Sequence, residues 1–207
     1  MPGNNGFDPV AGYYDQLVNL VFGKSMRRAQ LNYLHKISKS STILVLGGGT
    51  GNWLSELLRI NSNCKITYID QSARMIALAR INSNNSDRIE FRIGTEDVIT
   101  ETNYFDAIIM YCYLDLFPDK ILTEVVSKIR NSSRVGSRWL IVDFVSGPCW
   151  QILLLYVMYR FFRFTTGLSN QQLPDWKRIL EQNKLTKTDE QFFYMDFISS
   201  SCWKLNN

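Results

Sequence analysis

The stretch ILVLGGGTGNW, Ile43 to Trp53, constrains this chain more than any other. Four aliphatic residues, the pattern of a short buried strand, run directly into three glycines, Thr50 and a fourth glycine. Glycine admits positive φ and lets a ligand approach the backbone closely. The helix expected next opens with unpaired N–H groups. Strand, bare loop and helix start therefore form a cradle for a small polar ligand. The loop does not fit the dinucleotide fingerprint G-x-G-x-x-G/A, because a frame opened at Gly47 ends on Asn52. The spacing present is Gly47, Gly49 and Gly51, with Gly48 between the first two.

Around this junction the chain alternates between two periods. Strands are expected over STILVLGG, KITYID, RIEFRIG, FDAIIMY and SRWLIVDFV. Helices are expected over NWLSELLRI, Gln71 to Arg80, DKILTEVVSKIR, 150–164 and LPDWKRILEQN, where Pro174 suits a helix start. The first 40 residues read as helical, with Gly23 separating two helices, and the tail LTKTDEQFFYMDFISSSCWKL reads as a hairpin. This order predicts an α/β fold: a seven-stranded, mostly parallel sheet with helices on both faces and an antiparallel hairpin at the end. Ligands in such sheets bind at the carboxyl ends of the strands. One domain, 1–207, is expected. It comprises a helical cover (1–40), a core (41–145), an apolar helical insertion (146–172), and a final helix and hairpin (173–207).

Composition narrows the function classes. With 45% apolar and 20% charged residues, the chain can bury an ordinary core. Cys64, Cys112, Cys149 and Cys202 lie far apart with no CxxC pair, which points away from a zinc site and a disulfide framework and toward single buried thiols. The N-terminus lacks a basic segment followed by an apolar one. The longest apolar run, Ile152 to Tyr159, is far short of the ~20 residues that span a bilayer. The expectation is a cytoplasmic protein with peripheral membrane contact through 150–164. Residues 1–119 carry 11 basic and 12 acidic side chains, and the remainder 12 and 7. The mildly basic half suits a solvated surface, an anionic membrane, an acidic substrate or nucleic acid.

Two further features favour a nucleoside ligand. Asp70 ends the second strand, where an acceptor-only carboxylate meets ribose hydroxyls in this architecture. GTEDV puts Thr95, Glu96 and Asp97 after the third strand, within reach of an adenine amino group.

Together ILVLGGGTGNW, ITYIDQSARMIALAR, IEFRIGTEDV and FDAIIMYCYLDLF resemble, in order and spacing, the class I S-adenosylmethionine-dependent methyltransferases. FDPVAGYYDQL resembles the opening of the small-molecule branch that includes ubiquinone and menaquinone biosynthesis enzymes. The resemblance implies a Rossmann-like fold and S-adenosyl-L-methionine as cofactor, released as S-adenosyl-L-homocysteine. It places Gly47, Gly49 and Gly51 under the methionine part, Asp70 on the ribose and Gln71 beside the adenine. Thr95 stands where the family often has Asp, leaving Glu96, Asp97 or a backbone carbonyl for the adenine. Met110 and Tyr111 would run alongside the methionine and the reacting centre. The family's acid two residues before the first glycine is absent, since Val45 stands there. Tyr13, Tyr14 or loop carbonyls are the expected substitutes.

Methyl transfer from a sulfonium is an in-line displacement, so alignment and water exclusion can suffice. Where an acceptor hydroxyl needs a base, Asp143 is the candidate, with Tyr14 closing over the site. His35, the sole histidine, reads as a surface or packing residue, and Asp115 as a base or a helix N-cap. The segment CWQILLLYVMYRFFRFTTG is apolar nearly all round, with Arg160 and Arg163 near its end. It suits either the lining of a hydrophobic or aromatic acceptor pocket, for O- or C-methylation, or a core or dimer helix. An RNA methyltransferase and a non-catalytic scaffold are the competing readings, although no Asn/Asp-Pro-Pro-Tyr/Phe signature follows the fourth strand.

Overall fold

The computed structural model describes residues 7–166 and 172–207. Residues 167–171 of the expected insertion, and the first six residues of the chain, lie outside the described residues.

Seven strands form one sheet in the order β3-β2-β1-β4-β5-β7-β6. They are β1 (Thr42–Leu46), β2 (Lys65–Asp70), β3 (Ile89–Ile93), β4 (Phe105–Tyr111), β5 (Ser133–Phe144), β6 (Leu185–Phe193) and β7 (Ile198–Leu205). The first five run parallel, and β7 lies antiparallel between β5 and β6. Strand order reverses between β1 and β4, so a crevice opens at their carboxyl ends. The helices are α1 (Tyr14–Phe22), α2 (Ser25–Leu31), α3 (Leu54–Ile60), α4 (Ala73–Asn82), α5 (Asp119–Ser132), α6 (Cys149–Thr166) and α7 (Trp176–Gln182).

Because side chains alternate across a strand, each central strand feeds two cores. Ile43 and Val45 of β1, Ala107, Ile109 and Tyr111 of β4, and Leu140 and Val142 of β5 pack with α1 to α4 and α6. Leu44, Leu46, Ile108, Met110, Trp139 and Ile141 pack on the other face against α5 and α7. Three tryptophans, Trp53, Trp139 and Trp203, are fully buried.

Gly23 does separate two helices, with φ +55° just past the end of α1. Helix α7 begins two residues after Pro174, capped by Asp175, whose side chain accepts from the Arg178 N–H. β5 starts at Ser133, earlier than the hydrophobic run of the sequence suggests, because its first residues pair with the base of β4. Asp115 is no helix N-cap. It sits in a short 3-10 turn, Leu114–Leu116, and α5 starts later, after Pro118. The thiols are all free, but only Cys64 and Cys202 are buried, while Cys112 is half-buried and Cys149 exposed. His35 is exposed on a 3-10 turn.

Candidate functional site

The glycine loop is built from both sides. Gly47, Gly49 and Gly51 have φ of +60°, +63° and +64°, a region that side chains with a Cβ rarely adopt. Gly48 is required for space: a Cβ there would lie 2.1 Å from the ring of Tyr68, which is fully buried. A Cβ at Gly47 would lie 2.5 Å from the Tyr113 ring. Beside Gly49 nothing lies within 4 Å, so the loop is open on its outer side.

Three groups brace this loop. The Gly49 N–H donates to Asp70 Oδ2 at 2.8 Å, and the Tyr68 hydroxyl donates to the Gly49 carbonyl at 3.0 Å. The Thr50 hydroxyl bonds to both carboxylate oxygens of Asp15, at 2.8 and 2.9 Å. Asp15 comes from the first turn of α1, so the helical cover is tied to the loop directly. Hydrogen bonds to a charged acceptor contribute about 1.5–3 kcal/mol each. Val45 faces the same side as its register partner Tyr68, and both are buried. With valine at 45, the acid's place at the end of β1 is apolar, and the loop is ordered by Tyr68, Asp70 and Asp15.

Two cavities adjoin above the crevice. The first, about 310 Å³, is lined by the loop from Gly47 to Trp53 and by Asp15, Asn19, Arg27, Gln30 and Tyr111. The second, about 270 Å³, is strongly apolar and lies between α1 and α6, with Leu17, Phe22, Phe144, Leu154 and Met158 among its walls. Tyr14, Val18, Met26 and Cys112 line both. Cys112 holds φ +51°, a strained conformation for a non-glycine residue, where β4 turns into the site.

The apolar cavity has a carboxyl floor. Asp115 lines it, and Asp143 is fully buried behind. Asp143 accepts the Leu114 and Asp115 N–H groups on Oδ2 and the Phe144 N–H on Oδ1. Burial raises the Asp143 carboxyl against these bonds, and burial together with Asp143 raises Asp115 well above the carboxylate range. Two like charges this deep cannot both be held ionised cheaply. Burial, with nearby Cys112, Asp115 and Asp15, also pushes the Tyr14 phenol well up.

The sequence-expected residues fall into three groups. Gly47, Gly48, Gly49, Gly51, Tyr14 and Tyr111 come together on the first cavity, and the Tyr111 hydroxyl donates to the Gln30 carbonyl at 2.7 Å. Asp70 and Glu96 lie just behind it as bracing groups. Asp70 also accepts the Ser72 N–H at 2.9 Å, is largely buried, and is raised by that burial. Glu96 accepts the Tyr113 hydroxyl at 2.7 Å, beneath Gly47. The remainder are not gathered on the cavity walls. Met110 points into the opposite core, as the alternation of β4 requires. Gln71 is exposed, Thr95 caps its own turn, and Asp97 pairs with Lys128 of α5. Asp143 is anchored on backbone rather than presented to a cavity. Tyr13 is exposed while Tyr14 points inward.

Asp15, Arg27, Gln30, Asn52 and Cys112 are wall residues that the sequence reading does not single out. Asp15 carries a signal in its place beside the two tyrosines of FDPVAGYYDQL. Arg27 and Gln30 carry none, since only the packing of α2 brings them to the loop. The stretch before α1 also closes on the site: Asp8 accepts from the Ser72 hydroxyl, and its carbonyl accepts from Arg74 at 3.1 Å.

Residues 43–136 match the model of a methyltransferase domain family. The chain is 35% identical over 106 residues to a malonyl-[acyl-carrier protein] O-methyltransferase of Bacillus cytotoxicus, covering 50% of this chain and 36% of that relative. The chain thus spans about a third of that relative's length. It is 25% identical over 193 residues to the demethylmenaquinone methyltransferase of Tropheryma whipplei, covering 84% of this chain and 77% of the other. In fold it is similar to a methyltransferase structure determined with the Haloferax volcanii activator Trm112, at TM-score 0.72 and 11% identity, covering 97% and 98% of the two chains. Residues 43–136 thus carry a methyltransferase-domain match, and in its glycine loop and strand order the chain is similar to the class I S-adenosylmethionine-dependent methyltransferases.

Proposed function

We propose that the chain transfers a methyl group from S-adenosylmethionine to a small hydrophobic or aromatic acceptor, on oxygen or carbon. One observation carries this reading: the glycine-loop cavity adjoins an apolar cavity, and the two share Tyr14, Val18, Met26 and Cys112. The residues present fit the cofactor. The loop is bare on its outer side and rigid beneath, as close approach of a polar ligand to backbone requires. When bound there, S-adenosylmethionine supplies an activated methyl group on a sulfonium.

The chain supplies position. The loop and Tyr111 would hold the cofactor's amino-acid part, with Asp70 and Glu96 toward the adenosine side. The walls Leu17, Phe22, Phe144, Leu154 and Met158 would orient the acceptor and exclude water. Tyr14 lines both sites. For a phenolic acceptor, Asp115 is better placed than Asp143 to take the proton, because Asp115 lines the cavity. A raised carboxyl is a stronger base once ionised, and its pKa comes closer to that of a phenol. The alignment with demethylmenaquinone methyltransferase supports an acceptor of this apolar, ring-bearing kind.

The mouth of the apolar cavity supports membrane contact. Val157 and Phe161 line the cavity and are also exposed, next to Leu153 and Tyr156, which are 64% and 63% exposed. Arg160 and Arg163 follow on the same helix, which carries no acid. This face suits the surface of an anionic bilayer holding the acceptor. Among the described residues no helix is long and apolar enough to cross a membrane. The test is label transfer from methyl-labelled S-adenosylmethionine to a panel of naphthols and quinols in detergent. Transfer to at least one is expected. Transfer to RNA instead, or to no acceptor, would overturn the reading.

A further inference from the structure

Three features of the first cavity remain unexplained by a loop that merely presents its backbone. A carboxylate enters it from α1, a guanidinium enters from α2, and a single residue, Asn52, ties both in place. Asp15 receives the Asn52 side-chain amide at 3.1 Å, and Arg27 donates to the Asn52 carbonyl at 2.8 Å. Both charged residues line the cavity beside the loop. Among the described residues neither takes part in an ion pair. The partners of Asp15, Thr50 and Asn52, are neutral. Asn52 Oδ1 is a buried acceptor with no donor in reach. A carboxylate with two oxygens has about four acceptor sites, and a guanidinium five N–H donors, so both keep capacity for a ligand.

We propose that Asp15 and Arg27 are a zwitterion clamp for an α-amino-acid head group, with Asp15 on its ammonium and Arg27 on its carboxylate. The assignment rests on the cofactor reading above and names what holds the methionine end. It also accounts for Val45. The negative charge absent from the end of β1 is supplied instead by α1, which crosses the loop and is fixed to it through Thr50. The helical cover is then part of the binding site. An opposite charge within reach favours each ionised end of the ligand, and the Arg fork matches a carboxylate geometrically.

The experiment compares two ligands with the same adenosine and thioether. S-adenosylhomocysteine carries the amino-acid end, and 5′-methylthioadenosine lacks it. Calorimetric affinities are measured for the wild type, Asp15→Asn and Arg27→Met. Each substitution is expected to weaken S-adenosylhomocysteine by at least about tenfold and leave methylthioadenosine unchanged, the second ligand also reporting that the site is folded. If the variants weaken both ligands alike, Asp15 only braces the loop and the assignment falls. If they weaken neither, it falls as well. A wild type that binds neither ligand overturns the cofactor reading, and this assignment with it.

Discussion

The two cavities meet at four shared residues yet are made in opposite ways. The polar one is built around a contiguous stretch of chain, Gly47 to Trp53, stiffened by buried groups underneath and closed by two charged residues from the N-terminal helices. The apolar one has no motif. Its walls come from α1, the ends of β4 and β5, and α6, and the one carboxyl among its described walls is that of Asp115. A ligand held against the backbone needs backbone geometry, and backbone geometry leaves a signature of glycines. An acceptor that is merely apolar needs only shape, which many side-chain combinations provide.

The largest effect should come from forcing a side chain under the loop. Gly48→Val would drive a side chain into Tyr68, and cofactor affinity should fall by more than about 100-fold, near 2.7 kcal/mol, in calorimetry with S-adenosylhomocysteine. Circular dichroism would check that the sheet survives. Retained affinity would remove the polar cavity from its role. Next, Asp70→Asn weakens the acceptor that holds the Gly49 and Ser72 N–H groups, and should cost about tenfold in the same titration.

Filling the other cavity sharpens the contrast. Leu154→Trp should weaken binding of a fluorescent naphthol probe by about tenfold while leaving S-adenosylhomocysteine within about twofold. Loss of both would show that the two spaces are one.

The acid pair should mark the apolar side by pH. Burial pushes Asp143 up to about 7, and burial together with the neighbouring Asp143 raises Asp115 well above its ordinary value. Both folded values lie above the unfolded ones, near 4, so the stabilising contribution is complete below about pH 4. It is lost as pH rises through the raised values. Urea unfolding should therefore show stability declining as pH rises from about 4.5 toward 7.5, and Asp115→Asn should make that decline shallower. An unchanged slope would mean that the pair is not what titrates. The smallest effect is expected at the rim. Arg160→Ala should lower sedimentation with anionic vesicles by about fivefold, near 1 kcal/mol. Equal sedimentation would leave α6 without a membrane role.

Much of this architecture is legible in the sequence. The alternating periods give seven strands and their helices, because buried parallel strands read as apolar runs and glycine ends them. The glycine loop is legible for the same local reason, whereas Tyr111 is pointed to by the family resemblance and Tyr14 by its place in FDPVAGYYDQL. Met110 packs in the other core from Tyr111, because neighbouring residues of a strand face opposite sides. Asp143 looks exposed to the pocket from its place at the end of β5, but its two oxygens accept the N–H groups of Leu114 and Asp115, in a turn that the sequence does not announce, and that of Phe144 in its own strand. Arg27 could not be read at all, since its place on the cavity wall depends on how α2 packs rather than on any neighbour in sequence. The tie from Asp15 to Thr50 spans elements that only the fold brings together.

The most direct test of the two-cavity account is a crystal structure grown with S-adenosylhomocysteine. The account predicts the ligand's amino-acid end among Gly47 to Asn52, between Asp15 and Arg27, its sulfur toward Tyr14 and Cys112, and the space between α1 and α6 left open. A ligand lodged in the apolar cavity, or a polar cavity left empty at saturating ligand, would contradict it.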